Sequence, residues 1–333
     1  MPNTTIQLIR EAVNEASQIL VTTHIGPDGD AIGSLIAMGL ILQRMGKHVD
    51  LISDDGVPKR FRYLPLSETV VQEPPIEEKY DLFIALDAGD LTRVGKVFRK
   101  FPEPLPPIIN IDHHVTNTRF GQINLVDEAA CSTTEILFKL LPELGVSLNS
   151  ALAECLLTGL ITDTLDFRTA NVTGQTLRTA ATLVEAGVDL HHTTTQALTL
   201  KELPTLLLWK KGLNNAQIED GFIWTVITNE DRREVGHQGF STYGLGNMLA
   251  DVYDIHMSAV LLELSDGRVT VGFRSQPPFS VSELAAELGG GGHHLAAGCT
   301  IRGSLEEVTT LVVSKSREAL RRQEIEQRQH TGK

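Results

Sequence analysis

A chain of 333 residues with 41% hydrophobic content is long enough for about two domains with real cores. Its net charge of −13 excludes a long nucleic acid as the principal ligand, because such binding leans on many Lys and Arg contacts to phosphate. No membrane role is expected either: the one sizeable apolar run, 35–42, is too short to span a bilayer, and the first residues do not read as a signal peptide. Cys131, Cys155 and Cys299 are isolated and set among apolar or small residues, the usage of reduced structural thiols in a cytoplasmic protein.

In chain order, 19–23 reads as a strand and 31–45 as an amphipathic helix capped by Asp30. Strands follow at 48–53, 81–87 and 108–112, the last preceded by a loop holding Pro102, Pro104, Pro106 and Pro107. Helices are expected at 131–141, 151–163 and 174–186. This alternation predicts an α/β fold with a parallel sheet covered on both faces over residues 1–187. Residues 188–205 lose any clear period and read as a linker or hinge. A smaller α/β unit is expected over 206–325, with strands at 222–228, 256–264 and 269–274, a hairpin turn at 265–268, and helices at 280–288 and 305–322. A polar tail, 326–333, closes the chain.

Four segments carry the chemistry. His24-x3-Asp28-x-Asp30 follows the first strand, and small residues (Ala31, Gly33, Ser34) after it leave the helix start open to an anion. Asp87 ends a second apolar run, and Asp112-His113-His114 ends a third. Asp163 ends a helix, where the dipole disfavours a carboxylate unless a cation compensates it. In an open α/β sheet, strand ends converge on the crevice at their carboxyl side. Carboxylates mixed with imidazole suit divalent ions, four Asp can balance two of them, and paired ions are the usual apparatus for cutting phosphate esters. Asp87 is expected to bridge both ions, His113 to be a ligand, and His114, with Asp112 beside it, to contact phosphate or donate a proton.

In the second unit, 289–298 runs Gly-Gly-Gly-Gly-His-His-Leu-Ala-Ala-Gly. Gly290, Gly291 and Gly292 offer bare amides for an anion, His293 follows, and the Ala residues admit a planar group. Arg274 and Ser275, at a strand end, are expected to bind phosphate.

These motifs, in this order, resemble the DHH phosphoesterase superfamily, in the branch with a C-terminal DHH-associated domain. The resemblance spans essentially the whole chain and is nearest to bacterial nanoRNase-type oligoribonucleases that also act as adenosine 3′,5′-bisphosphate phosphatases. It implies two divalent ions, usually Mn²⁺, one held by His24, Asp28 and Asp87, the other by Asp30, Asp87, His113 and Asp163. Nucleotide recognition falls to Arg274, Ser275, the glycine loop and His293, with short RNA or nucleotide bisphosphates as substrates. A linear or cyclic dinucleotide phosphodiesterase is the alternative; a pyrophosphatase or polyphosphatase and a non-catalytic nucleotide sensor rank below it. A homodimer is left open. One departure is visible: where the family often carries Gly after Asp163-Thr164, this chain has Leu165-Asp166.

Overall fold

In the computed structural model, residues 3–75, 79–237, 242 and 244–331 are described. The chain divides into two units, Met1–Leu200 and Lys201–Lys333.

The first unit contains α1 (Asn3–Glu15), β1 (Gln18–Thr23), α2 (Gly29–Arg44), β2 (His48–Ile52), β3 (Leu82–Leu86), β4 (Ile108–Asp112), β5 (Ile123–Val126), α3 (Thr133–Leu140), α4 (Ser150–Asp163), α5 (Gly174–Glu185) and α6 (Leu190–Thr194). Its five strands pair only in parallel, in the order β2-β1-β3-β4-β5. Every residue of β3 and β4 is buried, as a parallel sheet covered on both faces requires. The order reverses between β1 and β3: the chain leaves β1 to one side for β2, then returns to the other side for β3. A crevice opens at such a point beyond the strands' carboxyl ends. His24 and Asp87 are the first residues past those two strands.

Helix α2 starts two residues before its predicted beginning. Its cap is Asp28, whose Oδ1 accepts from the amides of Asp30 and Ala31 at 3.0 and 3.1 Å. Asp30 is therefore not the cap. The small residues after it do not leave the helix start open; they let α2 and α4 pack almost backbone to backbone. A Cβ on Gly33 would lie 2.6 Å from the carbonyl oxygen of Cys155. One on Gly159 would strike the Thr134 side chain and stand 2.5 Å from Asp30 Oδ1. This packing brings the start of α2, with Asp30, beside the end of α4, with Asp163.

The 188–205 segment is not an irregular linker. Asp189 caps α6, accepting from the His192 amide at 2.9 Å, and a π-helical turn, Thr195–Thr199, continues it. Along 190–199 only Thr193 and Ala197 are buried, so these turns carry no apolar stripe that periodicity could detect. Ala197 belongs to the first unit's core.

The second unit contains α7 (Leu203–Asn214), β6 (Gln217–Glu219), β7 (Phe222–Ile227), α8 (Asn229–Glu234), α9 (Leu245–Ala250), β8 (Met257–Glu263), β9 (Arg268–Ser275), α10 (Ser282–Glu287), β10 (Gly291–His293), β11 (Ala296–Arg302) and α11 (Leu305–Thr331). Its six-stranded sheet runs β10-β11-β9-β8-β7-β6, antiparallel except for the β7–β8 pair. The stretch from 326 is not a loose tail as far as 331, because α11 continues through it.

The contact between α2 and α4 yields a stability prediction. Gly159→Ala should cost about 1–3 kcal/mol through overpacking, read as a lowered midpoint in thermal unfolding. Gly174→Ala, where a Cβ meets only Arg178 Nη1 at 3.5 Å, should leave the midpoint within about a degree.

Candidate metal centre

The structure brings the four sequence segments together. Two groups of side chains each place their ligand atoms within 4.8 Å of one another: His24, Asp28 and Asp87, and Asp30, His113 and Asp163. A third group, Asp87, Asp112, His113 and His114, overlaps them. These residues come from the ends of β1, β3, β4 and α4 and from the first turn of α2.

His24 Nδ1 lies 2.9 Å from the carbonyl oxygen of Ile25, which places the ring proton on Nδ1 and leaves Nε2 as the ligand atom. Nε2 stands 3.5 Å from Asp87 Oδ2 and 3.9 Å from Asp28 Oδ1. On the other side, His113 Nε2 lies 3.1 Å from Asp163 Oδ2, 3.6 Å from Asp87 Oδ1 and 3.9 Å from Asp30 Oδ2. Asp87 thus turns one carboxylate oxygen to each group. Its backbone sits in the left-handed region, φ 55°, a strain an aspartate tolerates better than most residues. Thr133 Oγ1 donates to Asp87 Oδ1 at 3.0 Å and fixes the carboxylate.

Asp30 is fully buried and receives the amides of Thr133 and Thr134, at 2.6 and 3.0 Å. It occupies the positive end of α3, where a carboxylate is stabilised. Asp163 has no such help at the end of α4. After it, Leu165, Asp166 and Phe167 all take positive φ, 49–62°. A Gly at 165 would adopt this conformation freely; here Thr164 holds the turn instead. Its hydroxyl donates to Leu160 at 2.6 Å and accepts from the Phe167 amide at 3.0 Å.

Asp112, a member of the third group, has both oxygens engaged by neighbouring side chains. One of its oxygens lies 2.7 Å from His114 Nδ1 and the other 2.5 Å from Asn117 Nδ2. Asn117 also donates to Asn110 Oδ1 at 2.8 Å. Asp112 therefore orients His114 and acts through it. Thr133, Asn110 and Asn117 were not anticipated from sequence, although Asn110, a polar residue within an apolar central strand, was a legible signal.

The charges explain the protonation of the site. Burial pulls His24 down, but its hydrogen bond to Asp87 and the charges of Asp28 and Asp87 outweigh that and raise its pKa to about 9. His113 is raised well above the usual imidazole value against burial, chiefly by Asp163, then Asp87 and Asp30. His114 is raised by Asp112 and Asp87, again against burial. Burial, then the neighbouring Asp87 and Asp163, lift Asp30, and burial lifts Asp163. Asp87 moves the other way: despite burial, His24, His114 and His113 hold it well below the carboxylate range. Acid oxygens and imidazole nitrogens in two adjoining groups, sharing one carboxylate, fit two divalent cations that would displace these protons.

In the second unit, Arg274 on β9, Ala296 on β11 and His293 on β10 lie in register across three adjacent strands. Residues directly opposite share a face, so the small Ala296 separates the Arg and the His. Asn247 Oδ1 accepts from Arg274 Nε at 2.5 Å, and the carbonyl of Phe273 accepts from Nη1 at 2.7 Å. No carboxylate pairs with this guanidinium among the described residues, and burial lowers its pKa. Ser275 does not join that face. It is buried, and its hydroxyl donates to the carbonyl of Phe279 at 3.0 Å, securing the turn. Gly290 and Gly292 are required by the hairpin itself: a Cβ on either would strike β11, and Gly292 has φ 143°. Gly289 and Gly291 have open space around them, Gly289 at φ 80°.

A pH dependence follows. In protein stripped of metal by a chelator, the raised groups make the folded state hold more protons than the unfolded chain. Stability present below about pH 6.5 should therefore fall as pH rises through about 9, by up to about 3 kcal/mol for His24 alone. Denaturant unfolding at pH 6, 7.5 and 9 checks this. Mn²⁺ titrated in at pH 8 should release protons, read by calorimetry in buffers of different ionisation enthalpy.

The comparisons with known proteins agree with this geometry. The "DHH family, N-terminal domain" matches residues 18–160, ending just short of Asp163, and the "DHHA1 domain" matches 239–321. The chain is 33% identical over 308 residues to the bifunctional oligoribonuclease and PAP phosphatase NrnA of Thermus thermophilus, covering 91% of this chain and 90% of that one. It is 26% identical over 300 residues to the protein of the same name from Bacillus subtilis, covering 89% and 92%. A crystal structure of an exopolyphosphatase-related protein from Bacteroides fragilis superposes with a TM-score of 0.85 at 24% identity, covering 96% of each chain. With its four acid and imidazole segments gathered at one switch point and a relative this similar over nearly the full length, the chain belongs to the DHH family, and its second unit carries a DHHA1 domain.

Proposed function

We propose that this protein is a hydrolase of phosphate esters that uses two divalent ions to cut short oligoribonucleotides to mononucleotides and adenosine 3′,5′-bisphosphate to AMP. The observation that carries the reading is Asp87, whose two oxygens face two separate donor groups, His24 with Asp28 and His113 with Asp30 and Asp163. The relatives bearing this pair of activities in their names span nearly the whole chain, which favours it over a dinucleotide phosphodiesterase or a pyrophosphatase.

His24, Asp28 and Asp87 would hold one ion, and Asp30, Asp87, His113 and Asp163 the other; Mn²⁺ suits this mixture of oxygen and imidazole donors. Such ions supply an activated water at neutral pH and screen charge on the phosphoryl oxygens. In the net reaction a water oxygen bonds to phosphorus, the bond from phosphorus to the sugar oxygen breaks, and one water proton ends on that oxygen. His114 contributes a fixed donor: Asp112 engages Nδ1, so the ring presents Nε2 to a phosphoryl oxygen, and its raised pKa keeps it protonated. In the second unit Arg274 and His293 would bind the nucleotide. A cytoplasmic setting accords with three buried, free thiols and with no helix long and apolar enough to cross a membrane among the described residues.

Chelation should abolish hydrolysis of both substrates, and Mn²⁺ should restore it. Asp87→Ala should lower kcat by on the order of a thousandfold, because it removes a ligand from both ions; near wild-type turnover would refute the shared-carboxylate assignment.

Recognition separates from chemistry in a second test. Arg274→Ala should raise KM for adenosine bisphosphate by about tenfold, the loss of one charge-assisted contact, while a small activated phosphodiester is hydrolysed as before. Equal loss on both substrates would place Arg274 in the reacting centre.

A further inference from the structure

The sequence carries one basic stretch that this function does not use. Between Leu91 and Pro102 stand Arg93, Lys96, Arg99 and Lys100 with no acid among them, in a chain whose net charge is −13. The stretch follows directly from Asp87, at the mouth of the sheet's switch point.

Arg93 is the member that reaches the metal centre. Its backbone is pinned on both sides: its amide donates to Asp90 Oδ1 at 3.1 Å, and its carbonyl accepts from the amide of Ile25 at 2.8 Å. The loop after β3 is thereby tied to the loop after β1, and the guanidinium comes to lie with Nη2 3.4 Å from His24 Nδ1. That contact cannot be a hydrogen bond when His24 serves as a ligand through Nε2, because Nδ1 then carries the proton it donates to Ile25. Two donors face each other. The neighbouring acids each turn one oxygen to backbone amides, and Asp90 feels the charge of Arg93 without pairing with it. Asp90 Oδ1 accepts from Thr92 and Arg93, Asp54 Oδ2 from Lys96 at 2.8 Å, and Asp55 Oδ2 from Gly26 at 2.6 Å. Among the described residues no carboxylate stands within ion-pair distance of Arg93, although its side chain is exposed.

A guanidinium kept free of carboxylates, one imidazole ring away from a candidate ion, is built to receive an anion that arrives with the substrate. We propose that Arg93 binds a non-bridging oxygen of the phosphoryl group undergoing hydrolysis, on the His24 side of the site. The inference rests on the phosphoesterase reading and adds a residue to it. It assigns the catalytic unit its own arginine for phosphate, distinct from Arg274 of the second unit. The fork supplies two parallel donors to phosphate oxygens, and Lys in its place supplies only a point charge.

The test uses the full-length, Mn²⁺-loaded protein and the variants Arg93→Ala and Arg93→Lys. Binding of inorganic phosphate is measured by calorimetry, and kcat/KM is measured on bis(p-nitrophenyl) phosphate and on adenosine bisphosphate. Arg93→Ala should weaken phosphate binding by about tenfold or more and lower kcat/KM on both substrates by a similar factor. Arg93→Lys should recover part of each loss, and Mn²⁺ affinity should stay within about twofold of wild type. Loss on the small diester sets this residue apart from Arg274. Unchanged phosphate affinity in Arg93→Ala would overturn the proposal. So would a loss matched by weaker Mn²⁺ binding, which would mean that Arg93 merely supports His24. Phosphate binding is read without turnover, so it judges Arg93 independently; a wild-type protein that hydrolyses neither substrate would count against the phosphoesterase reading instead.

Discussion

Like charges crowded into a buried space are the constraint around which the catalytic unit is built. Asp28, Asp30, Asp87 and Asp163 converge on one point, with Asp30 and Asp87 almost wholly removed from solvent. Two carboxylates 4 Å apart repel by about 4 kcal/mol at an effective dielectric near 20. Several such pairs would cancel a large share of a domain's stability. The fold answers locally: Asp30 takes the positive end of α3, Asp28 takes the positive end of α2, and His24 and His113 stand between the acids. None of these neutralises the whole cluster. The remainder is a standing demand for cations, which is what makes the arrangement a metal centre rather than a salt-bridge network.

Bringing those acids together is the work of two features with no chemistry of their own. The first is strand order: because the chain passes from β1 outward to β2 and back to β3 on the other side, the loops after β1 and β3 diverge and leave a crevice between them. The second is the glycine contact between α2 and α4. Asp30 lies in the first turn of α2 and Asp163 at the end of α4, so the separation of these helices sets the separation of two carboxylates. Gly33 and Gly159 admit no Cβ there, which makes the helix packing and the site one structural problem.

Legibility in the sequence followed the range of the interactions. The strand-end motifs were readable because a polar residue terminating an apolar run has few structural reasons to be there. Asp28, Asp30, Asp87, His113 and Asp163 do meet. Roles that depend on partners distant in sequence were not readable. Asp28 rather than Asp30 caps α2, because Asp30 is claimed by the amides of Thr133 and Thr134 across the core. Gly33 looked like room for an anion and is room for Cys155. Ser275 looked like a phosphate contact, but strand alternation turns it to the buried face, away from Arg274. The segment around 190–199 looked like a linker, since a helix that buries only Thr193 and Ala197 leaves no periodic trace. Leu165 looked like an anomaly beside the family's usual Gly, and the left-handed turn at 165–167 shows why Gly is common there and how Thr164 makes it dispensable.

The placement of arginines bears on how a chain this acidic would recognise phosphate under the proposed function. Arg268, Arg317 and Arg322 rest on carboxylates, in pairs with Asp266, with Glu219, and with Glu283 and Glu287. Arg274 is held by the amide oxygen of Asn247 and a backbone carbonyl, and Arg93 lies against an imidazole with no carboxylate in ion-pair distance among the described residues. A guanidinium fixed by neutral groups keeps its full charge for an incoming anion; one fixed by a carboxylate must first break that pair. Arg44, Arg62 and Arg178 likewise rest on neutral oxygens, so what sets Arg274 and Arg93 apart is position: one faces His293 across Ala296, the other lies against His24. Recognition of that kind is confined to a few positions. Under the proposed function such isolated positions suit a short nucleotide, which needs few contacts to its phosphates.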